Sequence, residues 1–246
     1  MRIALLADIH ANREAYEAVL EKVGELAPDR IVLLGDIVGY GPDPEYAVEK
    51  TAEMVERGAI CVKGNHDEAA VSGPSGMSEN ARVAAEWTMK RLSPSHTRFL
   101  DALPLMARED GRTYVHASAD RPAEWPYVHD ADTAALCLAA SDDAIVLCGH
   151  THVPAVYYSL AGRKPVRHTP APNADTPLLP TRRHAVVVGA VGQPRDGIPT
   201  ACFALLDTEA ATIAMLRVPY DFDATGRKIG EAGLPGWLGM RLKLGR

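Results

Sequence analysis

Ile3-Ala4-Leu5-Leu6-Ala7-Asp8-Ile9-His10 is a continuous apolar run that stops at an acid and an imidazole. The same figure returns twice. Ile31-Val32-Leu33-Leu34 leads into Gly35-Asp36, and the stretch 59–63 leads into Gly64-Asn65-His66-Asp67. Apolar runs without alternation mark strands buried on both faces, as in a parallel sheet covered by helices. Helical patterns lie between the runs. Asn12 caps one that extends to about Leu26, with Ala15, Val19, Leu20 and Val23 on one face, and Pro28-Asp29 ends it. A loop rich in Gly and Pro, Gly39 to Pro44, precedes a second helix over about 45–57. Asp8, Asp36 and Asn65 are 28 and 29 residues apart, the length of one strand–helix–strand unit. Each unit returns the chain to the same sheet edge, and α/β sheets gather ligands at the carboxyl ends of their strands. The three polar residues are therefore expected to converge.

Farther along, helical patterns run over about 80–91 and 95–102, with Pro94 tolerated at a helix start. Residues 105–107 and 112–115 read as two strands joined at Asp110-Gly111, the second ending at His116. Residues 117–129 read as a loop carrying Arg121, Trp125 and Tyr127. A helix over 131–140 leads to a strand over 144–148, which ends at Gly149-His150-Thr151-His152. Beyond this the pattern changes to strands without long helices, at 155–160, 185–188, 200–206 and 212–218. The Pro-rich stretch from Pro170 to Thr181 reads as loop, and short helical pieces over 223–232 and 236–244 close the chain. The first half is expected to build one sheet with its helices, and the later strands the other.

At 246 residues the chain is expected to form one domain over 1–246. An apolar fraction of 47% and a charged fraction of 24% are ordinary for a globular protein. The net charge of -6 argues against a general nucleic-acid surface, so no stable nucleic-acid complex is expected. It leaves a nucleotide substrate open, because bound metals supply positive charge locally. Cys61, Cys137, Cys148 and Cys202 lack CxxC spacing and read as buried thiols. The N-terminal apolar stretch is too short for a signal peptide and no run reaches the length of a membrane span. The expected location is cytoplasmic, with no membrane partner.

Asp, His and Asn hold borderline-hard divalent metals through oxygen and nitrogen. His96, His129, His168 and His184 stand outside the strand-end motifs and are expected to be ordinary surface histidines. The five motifs, Asp8-Ile9-His10, Gly35-Asp36, Gly64-Asn65-His66-Asp67, His116 and Gly149-His150-Thr151-His152, resemble in kind and order those of the calcineurin-like metallophosphoesterase superfamily. Gly189-Ala190-Val191-Gly192-Gln193-Pro194-Arg195-Asp196-Gly197 resembles the late glycine-rich motif of its small bacterial phosphodiesterase-like branch. That superfamily usually has Gly after the histidine matched by His116, where this chain has Ala117, another small residue.

The resemblance implies an α/β fold, a four-layer α/β/β/α sandwich of two mixed sheets flanked by helices. It implies two divalent metal ions. Asp8, His10 and His152 would hold one, Asn65, His116 and His150 the other, and Asp36 would bridge them. Manganese is the expected ion, and iron, zinc, nickel or cobalt suit the same donors. A metal-bridging hydroxide would attack phosphorus in line, with His66 assisting the leaving group. Asp67 would either orient His66 or cap the following helix. Arg195, after the glycine-rich turn, is a candidate for a bidentate phosphate contact, and Arg121 is a second. Tyr40, Trp125 and Tyr127 are candidates for stacking on a nucleobase or for packing a loop.

The Ser/Thr phosphoprotein phosphatases and similar dinucleoside tetraphosphatases carry an arginine in the loop after the bridging aspartate. Here that loop reads Ile37-Val38-Gly39-Tyr40-Gly41. A monoester dianion needs more positive charge than a diester monoanion, so the absence favours a small soluble phosphodiester, such as a cyclic nucleotide, or broad, weak specificity, with Arg195 or Arg121 as substitutes for the missing arginine. The alternatives are a phosphomonoesterase acting on nucleotides or phosphoproteins, and a non-catalytic metal-binding scaffold. Specificity is expected in the loops at 38–44, 72–80, 117–129 and 170–183. A homodimer is the default expectation for assembly.

Overall fold

The computed structural model describes residues 1–159 and 163–246. With strands numbered along the chain, one mixed sheet has the order β3 (Ile60–Cys61), β2 (Arg30–Leu33), β1 (Arg2–Leu6), β11 (Ala201–Asp207), β12 (Thr212–Val218) and β9 (Asp175–Pro177). The other has the order β4 (Met106–Glu109), β5 (Arg112–Val115), β6 (Ile145–Cys148), β10 (His184–Val187), β7 (Ala155–Tyr158) and β8 (Val166–His168). The helices are α1 (Arg13–Leu26), α2 (Pro44–Glu56), α3 (Asn65–Ser72), α4 (Glu79–Arg91), α5 (Pro94–Ala102), α6 (Ala131–Ala139), α7 (Phe222–Glu231) and α8 (Gly236–Leu244).

β1 shows why its sequence is apolar without alternation. Ile3, Leu5 and Ala7 point between the sheets, against Tyr114, Leu147 and Val186. Ala4 and Leu6 point the other way, against Tyr16, Val19 and Val23 of α1. On the far side, Val146 and Cys148 of β6 pack on Ala134, Cys137 and Leu138 of α6. Three apolar seams thus separate four backbone layers, an α/β/β/α sandwich. All four cysteines are buried and free.

The sheets do not divide at the middle of the chain. β11 runs antiparallel beside β1, and β12 and β9 extend that sheet. β10 enters between β6, to which it is parallel, and β7, to which it is antiparallel. The expectation of one sheet per half of the chain is therefore corrected. β1 is central, and its second edge carries buried amides and carbonyls that require a partner strand. The Pro-rich stretch also differs from expectation, because Asp175–Pro177 pairs with β12. β8 and β9 have three residues each, too few to show a period. Of the strand expected over 155–160, Ala155–Tyr158 is strand and Leu160 lies outside the described residues. His184, expected at the surface, is buried on β10.

α7 and α8 pack Ile229, Leu234, Leu238 and Leu242 against Ala84 of α4, with Tyr40 at the margin. Polar contacts lock this pair onto the first strand-end loop. The Thr225 hydroxyl donates to Asn12 Oδ1 (3.0 Å), and Lys228 pairs with both Glu14 and Asp43. Among the described residues no helix is long and apolar enough to cross a membrane.

Candidate metal centre

The strand-end loops are held in an unusual backbone state. Asp8, His10, Asp36, Tyr40, His150 and His152 all have positive φ, between 50° and 66°. Each such residue costs about 1–3 kcal/mol unless its surroundings enforce it. Here the loops enforce one another. The Asp8 amide donates to the Gly35 carbonyl (3.1 Å) and the His10 amide to the Asp36 carbonyl (2.9 Å). The glycine-rich turn closes the other side, with the Val191 amide donating to Ala7 and the Gly192 amide to Asp8 (both 2.9 Å). At Gly35 (φ 82°) a Cβ would stand 2.6 Å from the Gly64 nitrogen, so this crossing of two motifs requires glycine.

Six of the seven ligand candidates, all but Asn65, form two groups that share Asp36: Asp8, His10, Asp36 and His152, and Asp36, His116 and His150. Within each group the donor atoms lie within 4.8 Å of one another. His152 Nε2 is 3.3 Å from Asp8 Oδ1, and His10 Nε2 is 3.6 Å from Asp36 Oδ2. His116 Nε2 is 3.3 Å from Asp36 Oδ2, 3.2 Å from Asn65 Oδ1 and 3.1 Å from His150 Nδ1. Asn65, half-buried, therefore joins the second group.

The protonation pattern tests whether this set fits a cation. His10 Nδ1 lies 3.1 Å from the Val38 carbonyl and His152 Nδ1 2.6 Å from the Gln193 carbonyl. A carbonyl only accepts, so both Nδ1 atoms carry the proton. Burial holds both imidazoles well below their ordinary pKa, hence neutral. Their Nε2 lone pairs then face each other at 3.1 Å, beside two carboxylates. Acceptors that converge in this way suit a cation, and imidazoles anchored through the opposite nitrogen are the usual histidine metal ligands. The charges respond to the same demand. Burial pushes the Asp8 carboxyl up to about 7. Burial also opposes a proton on His116, yet Asp36 and Asp8 raise it to about 9.

A cleft of about 460 Å³ opens above the centre, and Tyr40, Asn65, His66, Trp125, Tyr127 and Arg195 are among its walls. His66 is buried, its pKa lowered to about 4 by burial, with Asp36 opposing and Arg195 and His116 adding to the shift. Its Nδ1 has no hydrogen-bond partner among the described residues. Asp67 does not reach the imidazole. Its carboxylate accepts from the amides of Ile37 (2.9 Å), Val38 (3.1 Å) and Gly64 (2.9 Å), which caps α3 and ties it to the loop after β2. Of the two roles expected of Asp67, its contacts are those of the helix cap rather than of a group that orients His66.

Arg195 lies in the cleft wall, with Nη2 donating to Gln193 Oε1 (2.7 Å) and its guanidinium 5.6 Å from the Tyr40 ring. Tyr40 packs on His66 (4.3 Å between centroids) and His10 (4.7 Å). Arg121 is not brought to the site. It is exposed and pairs with Asp120 and Glu124, because its left-handed backbone (φ 47°) opens the short 3₁₀ turn that these acids flank. Of the expected specificity loops, 170–183 contributes no wall to the metal cleft. Its Thr176, Pro177, Leu179 and Arg182 line a separate hollow with His168 and His184. Sequence reasoning missed Gln193, Leu34 and Val38, which meet the imidazoles through main-chain carbonyls that any residue carries, and missed the Gln193 side chain that accepts from Arg195.

The family model described as the calcineurin-like phosphoesterase superfamily domain matches residues 1–211. The chain belongs to the calcineurin-like phosphoesterase superfamily. It is 39% identical to the crystal structure of a metallophosphoesterase from Sphaerobacter thermophilus, with a TM-score of 0.86 over 100% of this chain and 99% of that one. An uncharacterised protein of Methanocaldococcus jannaschii is 34% identical over 99% of this chain and 98% of its own length. Phosphodiesterase YfcE of Escherichia coli is 31% identical over 47% of this chain and 68% of its own. As a calcineurin-like phosphoesterase the protein is a phosphoric ester hydrolase by family, with Asp and His groups able to bind divalent metal. α7 and α8 lie beyond the matched residues, yet they hold the metal loops through Asn12, whose Nδ2 donates to the Gly192 carbonyl (2.7 Å).

Proposed function

We propose that the protein hydrolyses a small phosphodiester with the aid of two divalent ions, manganese foremost. Asp8, His10 and His152 would hold one ion and Asn65, His116 and His150 the other, with Asp36 shared. The observation that carries this reading is the pair of neutral, lone-pair-facing imidazoles, His10 and His152, beside a carboxylate common to both groups. Two such ions lower the pKa of water and neutralise charge on a phosphoryl group. The chain's own residues supply the rest. His66 stands in the cleft wall, and although burial keeps its imidazole neutral in the free protein, an anionic phosphate beside it would favour the proton that it would donate to the leaving oxygen. Arg195 offers its guanidinium to a non-bridging phosphate oxygen, with Gln193 holding it in place. Asp67 keeps the 64–67 turn against the loop that carries Asp36. Thr225 of α7 holds Asn12, which in turn donates to the Gly192 carbonyl, and this favours treating 1–246 as one functional unit.

The preference for a diester rests on charge. Arg195 is the one arginine or lysine in the cleft wall among the described residues, which suits a monoanion better than a dianion. The likeness to YfcE, named a phosphodiesterase, points the same way. The test is to strip the protein of metal, restore manganese, and compare hydrolysis of bis-p-nitrophenyl phosphate and p-nitrophenyl phosphate. Metal-dependent turnover that favours the diester is expected. Preference for the monoester would replace this reading with a phosphomonoesterase. No turnover of either, with metal bound, would replace it with a scaffold.

A further inference from the structure

Tyr127 separates two hollows. On one side is the metal cleft; on the other is a second cleft of about 470 Å³, bordered by Val128, Val153, Ala155, Tyr157 and Arg167. The turn after β6 serves both. His150 and His152 face the metals' side, whereas Thr151 and Val153 face the second cleft. Tyr127 is half exposed, and one face of its ring lies flat on His150, 4.0 Å between centroids and 20° between planes. The loop that presents it is pinned by two non-glycine residues with positive φ, Arg121 and Trp125, around the 3₁₀ turn Pro122–Glu124.

The second cleft is apolar at its floor and cationic at its far edge. Arg167 sits opposite Tyr157 in the β7–β8 register and donates to the Thr169 hydroxyl (2.9 Å). No carboxylate pairs with it among the described residues. An unneutralised guanidinium at the end of an apolar trough recognises an anionic group on a flat organic body. A phosphodiester has two organic arms, and the two hollows meet at the wall of the metal centre.

We propose that the cleft beyond Tyr127 is a second substrate subsite. It receives one arm of a nucleotide-like diester, the base lying against the exposed ring of Tyr127 and a terminal phosphate reaching Arg167. This rests on the phosphodiesterase reading and narrows it to an open-chain, phosphate-ended substrate rather than a cyclic one.

The test uses the manganese-loaded full chain with thymidylyl-thymidine, its 5′- and 3′-phosphorylated forms, and bis-p-nitrophenyl phosphate as a common reference. Wild type is expected to favour one phosphorylated dinucleotide over the plain one by about tenfold in kcat/KM, the size of one charge-assisted contact. Arg167→Ala is expected to erase that ratio through KM. Tyr127→Ala is expected to raise KM for all three dinucleotides by about fivefold to a hundredfold, the range of base stacking on an aromatic ring. Tyr127→Phe restores it. Metal content measured alongside separates a stacking effect from a disturbed His150. If the reference is hydrolysed but neither phosphorylated form is preferred, or Arg167→Ala keeps the ratio, the subsite is wrong and the diesterase stands. If the reference is not hydrolysed in a metal-dependent way, the diesterase reading falls and the subsite's occupant with it.

Discussion

The two halves of the proposed metal centre share Asp36 but are built differently. Asp8, His10 and His152 are buried, with only His152 reaching the cleft wall, and both imidazoles are tied through Nδ1 to main-chain carbonyls. Around Asn65, His116 and His150 only His116 is tied in that way, to Leu34 (2.7 Å). His150 turns Nδ1 inward, and Tyr127 steadies its ring from the cleft side. The first half also has a carboxylate of its own, Asp8, where the second has the neutral amide of Asn65. More charge and more anchoring mean tighter binding and less freedom. Asn65 and His150 of the second half line the cleft, against His152 alone in the first, and the ion proposed there is expected to leave first when a chelator is titrated in.

Replacing the shared carboxylate should have the largest effect. Asp36→Asn is expected to lower kcat/KM on the order of a thousandfold, since the ions' stabilisation of phosphoryl charge amounts to several kcal/mol. Both ions should be lost by elemental analysis, and retention of two per chain would break the picture of a common ligand. His66→Ala is expected to lower kcat by about a hundredfold, within the usual span for one acid–base group. Both ions should stay bound, and an unchanged turnover number would remove His66 from the chemistry. Asn65→Asp tests the asymmetry itself. A second private carboxylate should tighten the weaker ion by about tenfold, because ligand charge tunes metal affinity. An unaltered chelator titration would show that charge does not separate the halves. The smallest effects contrast two arginines. Arg195→Ala should raise KM by about tenfold, the loss of one charged hydrogen bond. Arg121→Ala should change it by less than about twofold, as expected of an exposed ion pair.

The candidate metal ligands are legible in the sequence because neighbouring residues carry them. Asp8 with His10 and His150 with His152 sit two apart at strand ends, so each motif delivers its donors together wherever the strand goes. Apolar periodicity placed α1, α2, α6 and most strands within a residue or two. It could not place β8 and β9, whose burial is set by the neighbouring strands β7 and β12. Nor could it place Asp67, since an acid in a helix's first turn can cap or orient, and only the facing amides of Ile37 and Val38 decide between the two. His184 looked like any exposed histidine because burial belongs to β10 as a whole.

By itself the amino-acid order determined that strands alternate with helices early on, that polar donors stand at strand ends, and which donors they are. These are local properties, written in runs of three to ten residues. Only the tertiary structure decided that β11 closes the edge of β1, and that Asp36 lies between two half-sites. It also put Gln193 and Val38 behind the metal-facing imidazoles, and Tyr127 between two clefts. Those arrangements depend on contacts between segments up to two hundred residues apart, where packing and hydrogen-bond satisfaction select among topologies that local sequence leaves equally open.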